Sequence, residues 1–106
     1  MARAEIVRGD IWLVDLGMVQ KVRPAVVLSI EFEDHERALI TYVPRTTSLR
    51  SSRFEVGHQA HGFLPGAFDA QSIGTVPSAK LVRRIAQLDG PTLTRVEDAV
   101  CRWLGL

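Results

Sequence analysis

Apolar residues in the first part of the chain fall in short segments separated by turn residues. Segments of roughly four to eight residues rich in β-branched and aromatic side chains are typical of strands. One of them, Ala25–Ile30, is almost wholly apolar, which predicts a central strand covered on both faces. We expect Pro44 to end the third strand, because proline cannot donate a ladder hydrogen bond. The predicted strands are Ile11–Leu16, Ala25–Ile30, Ala38–Val43, Ser52–Val56, Gly66–Ala70, Ile73–Val76 and Leu81–Leu88.

The end of the chain changes to a helical period. Leu93, Val96 and Val100 recur at helical spacing, with polar residues mostly on the other side. The segment Asp89-Gly90-Pro91 is a plausible start, because proline is tolerated in the first turn, and Gly105 is a typical stop. The pattern predicts a compact all-β sheet or small barrel closed by one amphipathic helix, which packs on the sheet or on a partner.

Length and composition indicate one globular domain. The sequence has 106 residues, of which 46% are hydrophobic and 24% charged, so we treat residues 1–106 as a single domain with one core. The formal net charge of +1 argues against a strongly basic nucleic-acid binder but is compatible with a local basic face.

Further classes of protein are disfavoured by single features of the sequence. The one cysteine, Cys101, excludes an internal disulfide, and we expect it to pack in the helix. No apolar run reaches the roughly 20 residues of a membrane span. Because residues 1–8 also lack an apolar signal-peptide core, we expect a cytoplasmic protein.

Charged residues are distributed unevenly along the chain. Basic residues lie in the spans 21–23 and 45–53, which contain no acid, whereas acids fill the turn at 31–36. If the second and third strands are antiparallel neighbours, Arg23 lies beside residues 45–48 and the acidic turn lies at the opposite end. A basic, hydroxyl-rich end suits an anion such as phosphate. Composition alone favours the simpler interpretation, a solvated polar loop.

The remaining reactive side chains give weaker signals. His58 and His61 lie in a segment predicted as a loop, with Glu55 nearby and without recognisable zinc-ligand spacing, so we expect no metal and no other cofactor. Asp69 and Gln71 are predicted to share one face of a strand, where Gln71 is able to contact a base edge or a backbone group. That both are ordinary exposed strand residues is an equal alternative.

Three sequence blocks point to a known family. They are RGDIWLVD at residues 8–15, VRPAVVLS at residues 22–29 and VPRTTS at residues 43–48. Together with GTVP at residues 74–77 and a last helix that ends in LGL, they resemble the MazF/PemK toxins of type II toxin–antitoxin modules. The resemblance covers most of the chain, in the order found in the family.

The resemblance implies a mainly β fold, a small SH3-like, PemK-type antiparallel barrel with a C-terminal α-helix that usually forms a homodimer. It implies a metal-independent, sequence-specific endoribonuclease, an mRNA interferase. Such an enzyme cleaves single-stranded RNA by attack of a ribose 2′-OH and leaves 2′,3′-cyclic phosphate and 5′-OH ends. A cognate antitoxin would wrap a disordered segment over the RNA-binding surface.

The same resemblance assigns roles to particular residues. Arg23 and Thr46 match the catalytic arginine and threonine of the family. The residues expected to bind RNA are Gln20, Lys21, Arg45, Thr47, Ser48, Arg50 and Gln71.

Two departures from the family pattern leave the general base unassigned. Some relatives carry an acid directly before the glutamine that matches Gln71, where this chain has Ala70, and Asp69 is expected on the opposite strand face. The loop Gly17–Val22 also lacks the glutamate that many relatives carry before the catalytic arginine. Two alternatives stay open: a gyrase-poison toxin of the same fold, similar to CcdB, and a degenerate member that binds an antitoxin without cleaving RNA.

Overall fold

A computed structural model of the chain describes residues 5–19 and 21–106. The described residues form a mainly β fold with one C-terminal helix, which confirms the predicted fold class. The elements are β1 (Asp10–Asp15), β2 (Val22–Val27), β3 (Leu39–Thr46), β4 (Glu55–His58), β5 (Gly66–Asp69), β6 (Gly74–Pro77), β7 (Leu81–Gln87) and α1 (Gly90–Leu104), with 3₁₀ turns at Ala70–Ser72 and Ser78–Lys80.

The strands form one antiparallel sheet in the order β4-β5-β3-β2-β1-β7. One edge of β3 pairs with β2, and its other edge pairs with β6 along the first half and with β5 along the second. In the part of the chain that the structure describes, β4 and β7 remain sheet edges. The sheet is therefore open rather than closed into a complete barrel.

The β2–β3 hairpin is antiparallel, as predicted, with Ala25 opposite Pro44. The two strands reach further toward the basic end than expected. β2 begins at Val22 instead of Ala25, and β3 continues to Thr46. Residues 22–24 and 44–46 therefore belong to the sheet, and the side chains of the basic end are fixed by strand geometry.

The expectation that Pro44 ends the third strand is wrong. On the edge of β3 that faces away from β2, pairing with β6 ends at Tyr42 and pairing with β5 begins at Arg45. Pro44 lies in the gap between these two partners, where its missing N–H removes no hydrogen bond of the sheet. A proline in this gap is compatible with a strand that continues past it.

Both faces of the sheet carry a hydrophobic core. Successive residues of β2 point to opposite faces, so Val26 packs in one cluster while Ala25 and Val27 pack in the other. All three are fully buried, which confirms the prediction of a central strand. The end of the predicted segment was wrong, because Ile30 lies beyond β2 and is exposed.

The helix begins and ends where the sequence predicted. The Asp89 carboxylate caps its first turn by accepting a hydrogen bond from the Thr92 N–H at 2.9 Å. Gly105 adopts the left-handed conformation with φ +74° and donates its N–H to the Cys101 carbonyl. Helices often end at a residue in this conformation, and glycine adopts it without steric cost.

The buried side of the helix covers one face of the sheet. Val96, Ala99 and Val100 pack into the cluster that contains Val26. The predicted packing role of Cys101 is wrong, because its side chain is exposed. Each residue advances about 100° around an α-helix, which turns the position after Val100 away from the sheet.

Candidate functional site

A groove of about 330 Å³ lies at the basic end of the β2–β3 hairpin. It is formed by the start of β2, the end of β3 and the loop 59–65, which joins β4 to β5. The register that pairs Ala25 with Pro44 places Arg23 opposite Thr46 when it is continued by two residues. The groove is lined by Arg23, Pro24, Arg45, Thr46, Thr47, Ser48 and Leu64.

The acidic turn lies at the other end of the same hairpin. Residues 31–35 line a separate surface depression, in which the His35 imidazole lies 3.7 Å from the Glu33 carboxylate. The two ends of one hairpin thus carry opposite charge although the whole chain is nearly neutral. The groove itself is lined by arginines and hydroxyls and contains no acid among its lining residues.

The Thr46 hydroxyl is oriented by the turn that follows β3. Its Oγ1 accepts a hydrogen bond from the Ser48 backbone N–H at 3.0 Å. A hydroxyl that accepts one bond retains its own O–H as a donor. Thr46 is half-buried at the groove and Arg23 is exposed beside it. A guanidinium and a hydroxyl donor on one groove are suited to a phosphoryl group.

Among the arginines of the described residues 5–19 and 21–106, Arg45 is distinguished by a buried guanidinium, with 5% of the residue exposed. Its Nε donates to Nδ1 of His58 at 2.9 Å. Its Nη2 donates to the carbonyl oxygens of His58 at 2.7 Å and of Leu64 at 2.6 Å. Burial lowers the pKa of Arg45, although a guanidinium remains protonated in proteins. The side chain therefore connects β3 with β4 and with the loop 59–65.

His58 is a buried residue of β4, so the prediction that it lies in a loop is wrong. Burial lowers its pKa, the Arg45 charge lowers it further, and Asp89 acts in the opposite direction. Because Nδ1 accepts the bond from Arg45, the imidazole is neutral with its proton on Nε2. His61, in contrast, is exposed in the following loop. The two histidines do not form a pair.

Only some of the other residues expected to bind RNA line the groove. Thr47 and Ser48 are exposed at the groove. Gln20 lies outside the described residues. The groove lining does not include Lys21, Arg50 or Gln71, and these three residues are exposed elsewhere on the surface.

The backbone of two of these segments is shaped by local hydrogen bonds. Lys21 adopts a left-handed φ of +60°, and its carbonyl accepts the Leu16 N–H across the β1–β2 loop. The Arg50 N–H donates to both carboxylate oxygens of Glu55 at 3.1 Å, and the Ser52 N–H donates to one of them. Glu55 thus orders the loop between β3 and β4.

The prediction that Asp69 and Gln71 share a strand face is wrong. β5 ends at Asp69, and the chain turns into the 3₁₀ segment Ala70–Ser72. The Asp69 carboxylate accepts hydrogen bonds from the Gln71 N–H at 3.1 Å and from the Ser72 hydroxyl at 2.8 Å. Ala70 is 1% exposed and packs in the hydrophobic core. Neither position 69 nor position 70 contributes to the groove lining.

Two kinds of feature are absent from residues 5–19 and 21–106. These residues include no group of three or more His, Cys, Asp or Glu side chains arranged to hold a metal ion. Within the same ranges, no helix is both long and apolar enough to cross a membrane.

Two features of the groove were missed by the sequence analysis. Leu64 lines the groove and is 73% exposed, although it belongs to a loop far from β2 and β3 in sequence. The buried contact between Arg45 and His58 was also missed, because both residue types usually indicate an exposed or reactive side chain. No local sequence signal identifies either feature, since each depends on pairing between β3, β5 and β4.

Comparisons with known proteins identify the family and the fold of the chain. A model of the family described as PemK-like, MazF-like toxin of type II toxin–antitoxin system matches residues 7–104. The chain is similar to the Mycobacterium tuberculosis toxin MazF-mt6, with 25% identity and a TM-score of 0.78, over 92% of this chain and 97% of that one.

Two further solved structures share the fold. One is an endoribonuclease in complex with its cognate antitoxin from Mycobacterial species, with 24% identity and a TM-score of 0.82 over 96% of this chain and 97% of that one. The other is MazE–MazF from Deinococcus radiodurans, with 22% identity and a TM-score of 0.80 over 95% of this chain and 96% of that one.

Proposed function

The chain belongs to the family of PemK-like, MazF-like toxins of type II toxin–antitoxin systems, and on this premise we propose that it is a metal-independent, sequence-specific endoribonuclease. Its proposed substrate is single-stranded RNA, most simply mRNA. The observation that carries the proposal is that Arg23 and Thr46 line one groove, at the positions that match the family's catalytic pair.

The proposed reaction is attack of a ribose 2′-oxygen on the adjacent phosphorus. The bond between phosphorus and the 2′-oxygen forms and the bond to the 5′-oxygen breaks. The 2′-OH proton passes to a base and the departing 5′-oxygen takes up a proton, which leaves 2′,3′-cyclic phosphate and 5′-OH ends. Negative charge collects on the phosphoryl oxygens in the transition state, so fixed donors around them lower the barrier.

Arg23 and Thr46 supply such donors. Arg23 lines the groove, and its guanidinium would bind the phosphoryl oxygens and stabilise their charge. The Thr46 hydroxyl, whose acceptor side is already bonded to Ser48, donates to one of these oxygens. A guanidinium releases its protons reluctantly, so Arg23 serves mainly as an electrostatic group.

Among the described residues, the groove lining includes no carboxylate or imidazole to accept a proton. Ala70 packs in the core, and the Asp69 carboxylate is bonded to its own turn. This observation favours a second candidate function, a degenerate member that binds an antitoxin without cleaving RNA. The two candidates differ in whether the purified protein cuts RNA.

RNA binding would extend beyond the catalytic pair. Thr47 and Ser48 offer exposed hydroxyls at the groove for a phosphate or a base edge. Lys21 and Arg50 would contact flanking phosphates, and Gln20 and Gln71 would contact bases. Burial of Arg45 supports a different role for that residue, as a positioning residue beneath the groove.

We further propose that the protein acts as a homodimer in the cytoplasm and that a cognate antitoxin covers the groove. Similar folds have been solved as MazE–MazF complexes and with a cognate antitoxin, which supports this partner. A disordered acidic segment fits a groove lined by arginines, because binding then neutralises charge on both sides. Sedimentation at micromolar concentration measures the assembly, and a monomer would contradict the dimer.

The experiment that tests the proposed function is incubation of purified protein with a long single-stranded RNA in EDTA, followed by mapping of the new ends. We expect discrete cuts with 5′-OH ends from the wild-type protein and none from Arg23→Ala. Arg53→Ala is a matched control, because Arg53 lies outside the groove, over the Phe54 ring at 4.6 Å.

Three outcomes of this experiment have different meanings. Cuts that disappear with Arg23→Ala and persist with Arg53→Ala support the ribonuclease. Cuts that persist in both variants contradict the assigned site. A folded wild-type protein that leaves the RNA intact favours the degenerate antitoxin-binding member.

A further inference from the structure

The groove has an apolar wall formed by Leu64, beside its arginines and hydroxyls. Leu64 is 73% exposed and lines the groove together with Arg23 and Thr46. Single exposed leucines are common on protein surfaces and need no explanation. Leu64 is distinguished by its place beside Arg23 and Thr46. If a phosphate binds to those two residues, the apolar side chain of Leu64 would face the base of the same or the next nucleotide.

The backbone of Leu64 is fixed by contacts with buried residues. Its carbonyl oxygen accepts a hydrogen bond from Nη2 of the buried Arg45 at 2.6 Å. The neighbouring Phe63 ring lies 4.9 Å from the Arg45 guanidinium and 5.1 Å from the His58 ring. The Phe63 N–H donates to the Ala60 carbonyl and closes a turn within the loop. The apolar wall is therefore preorganised, which reduces the entropy lost when a ligand binds.

The loop is fixed at its other end by Gly66. A Cβ at this position would lie 2.6 Å from the Thr46 carbonyl oxygen and 2.7 Å from Nη1 of Arg45. The start of β5 thus approaches the backbone of β3 more closely than other residues allow. This close approach keeps Leu64 near Thr46, because only one residue separates Leu64 from Gly66.

We propose that Leu64 is a specificity-determining residue whose side chain packs against the nucleobase next to the scissile phosphate. The inference rests on the proposed ribonuclease function and deepens it. Single-stranded RNA presents unstacked bases, and proteins recognise them by packing against the base face as well as by hydrogen bonds. Leucine has no hydrogen-bonding group in its side chain, so Leu64 selects by shape and contact area rather than by base edge.

The test compares Leu64→Ala with Leu49→Ala on the same long single-stranded RNA in EDTA. Leu49 is a matched control, because it is also an exposed leucine but borders a different depression. We expect Leu64→Ala to lower kcat/KM about tenfold at the sites that the wild-type protein prefers, through loss of part of a leucine contact. Sites cut weakly by the wild-type protein would change less, so the relative use of sites becomes more even.

A second measurement separates binding from chemistry. The probe is a short oligonucleotide of the mapped preferred sequence with a 2′-deoxy sugar at the scissile nucleotide, which prevents attack. Leu64→Ala should weaken its binding by a similar factor, and Leu64→Phe should retain it because a phenyl ring also packs on a base. Far-UV circular dichroism checks that the variants are folded.

The outcomes distinguish this inference from the proposed function. If the wild-type protein cuts and Arg23→Ala does not, but Leu64→Ala keeps the wild-type site preference and probe affinity, only the role of Leu64 is refuted. If the wild-type protein leaves RNA intact, the ribonuclease proposal fails and the role of Leu64 fails with it. A site preference that changes in Leu64→Ala and not in Leu49→Ala supports the inference.

Discussion

Arg45 and His58 form a buried pair in which Nε of Arg45 donates to Nδ1 of His58 at 2.9 Å. The pair joins β3, which carries Thr46, to β4 and to the loop that carries Leu64. A buried charge is costly unless its hydrogen bonds are satisfied, and here carbonyl oxygens and an imidazole supply the partners. The pair therefore stabilises the fold directly beneath the groove.

Replacing Arg45 by methionine should lower the free energy of unfolding by about 2–4 kcal/mol. The substitution keeps the apolar stem but leaves the buried carbonyl oxygens of His58 and Leu64 without a donor. Arg50→Met is the control, because Arg50 is exposed and its hydrogen bond to Glu55 is made by its backbone N–H. Urea denaturation of both variants measures the difference, and equal loss in the two would contradict a structural role for Arg45.

Stability should decrease as the pH falls below about 6.5, because His58 resists protonation in the folded protein. Its pKa is lowered by burial and by Arg45, so the unfolded chain takes up this proton first. The His58 contribution is complete above the unfolded pKa and is lost progressively as the pH falls toward the folded pKa.

The measurement is the free energy of unfolding between about pH 8 and pH 5.5, where most carboxylates stay ionised. His58→Asn should flatten the profile, because asparagine keeps an oxygen acceptor near the Nδ1 position but does not titrate. His61→Asn is the matched control, because His61 is an exposed histidine of the loop 59–65. A profile that stays steep in His58→Asn would assign the pH dependence to other groups.

Thr46→Val should lower kcat of RNA cleavage by roughly 10²–10³, the usual cost of one donor at a developing oxyanion. Valine keeps the shape of threonine and removes the hydroxyl that we propose donates to a phosphoryl oxygen. Thr46→Ser keeps the hydroxyl and the acceptor for the Ser48 N–H, so its activity should stay close to wild type. Similar activity in Thr46→Val and Thr46→Ser would remove Thr46 from the catalytic pair.

Gly66→Ala should destabilise the protein by about 1–3 kcal/mol, because the added Cβ would meet the Thr46 carbonyl oxygen at 2.6 Å. Gly57→Ala is a matched control in the neighbouring strand, where a Cβ would meet no atom within 4 Å. Thermal denaturation compares the two. The prediction fails if the midpoints of both variants coincide.

Deleting residues 104–106 should lower stability without abolishing RNA cleavage. The deletion removes the Gly105 cap and leaves Trp103, whose ring packs edge-on against Phe54 at 5.2 Å, at the chain end. A gyrase poison that acts through its C-terminal end would instead lose toxicity while the fold stays intact. Toxicity in cells and the unfolding midpoint, measured together, distinguish the two.

Local pattern was sufficient for much of the fold. The helix Gly90–Leu104 was predicted with both ends, because its capping residues and its 3.6-residue period act within one turn. The central position of β2 followed from its continuous apolar run. The ends of strands were predicted less well, as at Pro44, because the pairing partner decides whether a ladder tolerates a proline.

The sequence by itself determined which residues are basic, hydroxyl-bearing or apolar, and antiparallel pairing of adjacent strands was enough to bring Arg23 toward Thr46. Only the tertiary structure decided which of these side chains line the groove. Arg45 is buried against His58, Ala70 is in the core, and Leu64 reaches the groove from a distant loop. These placements depend on contacts between residues far apart in sequence, whose geometry local propensity and periodicity do not encode.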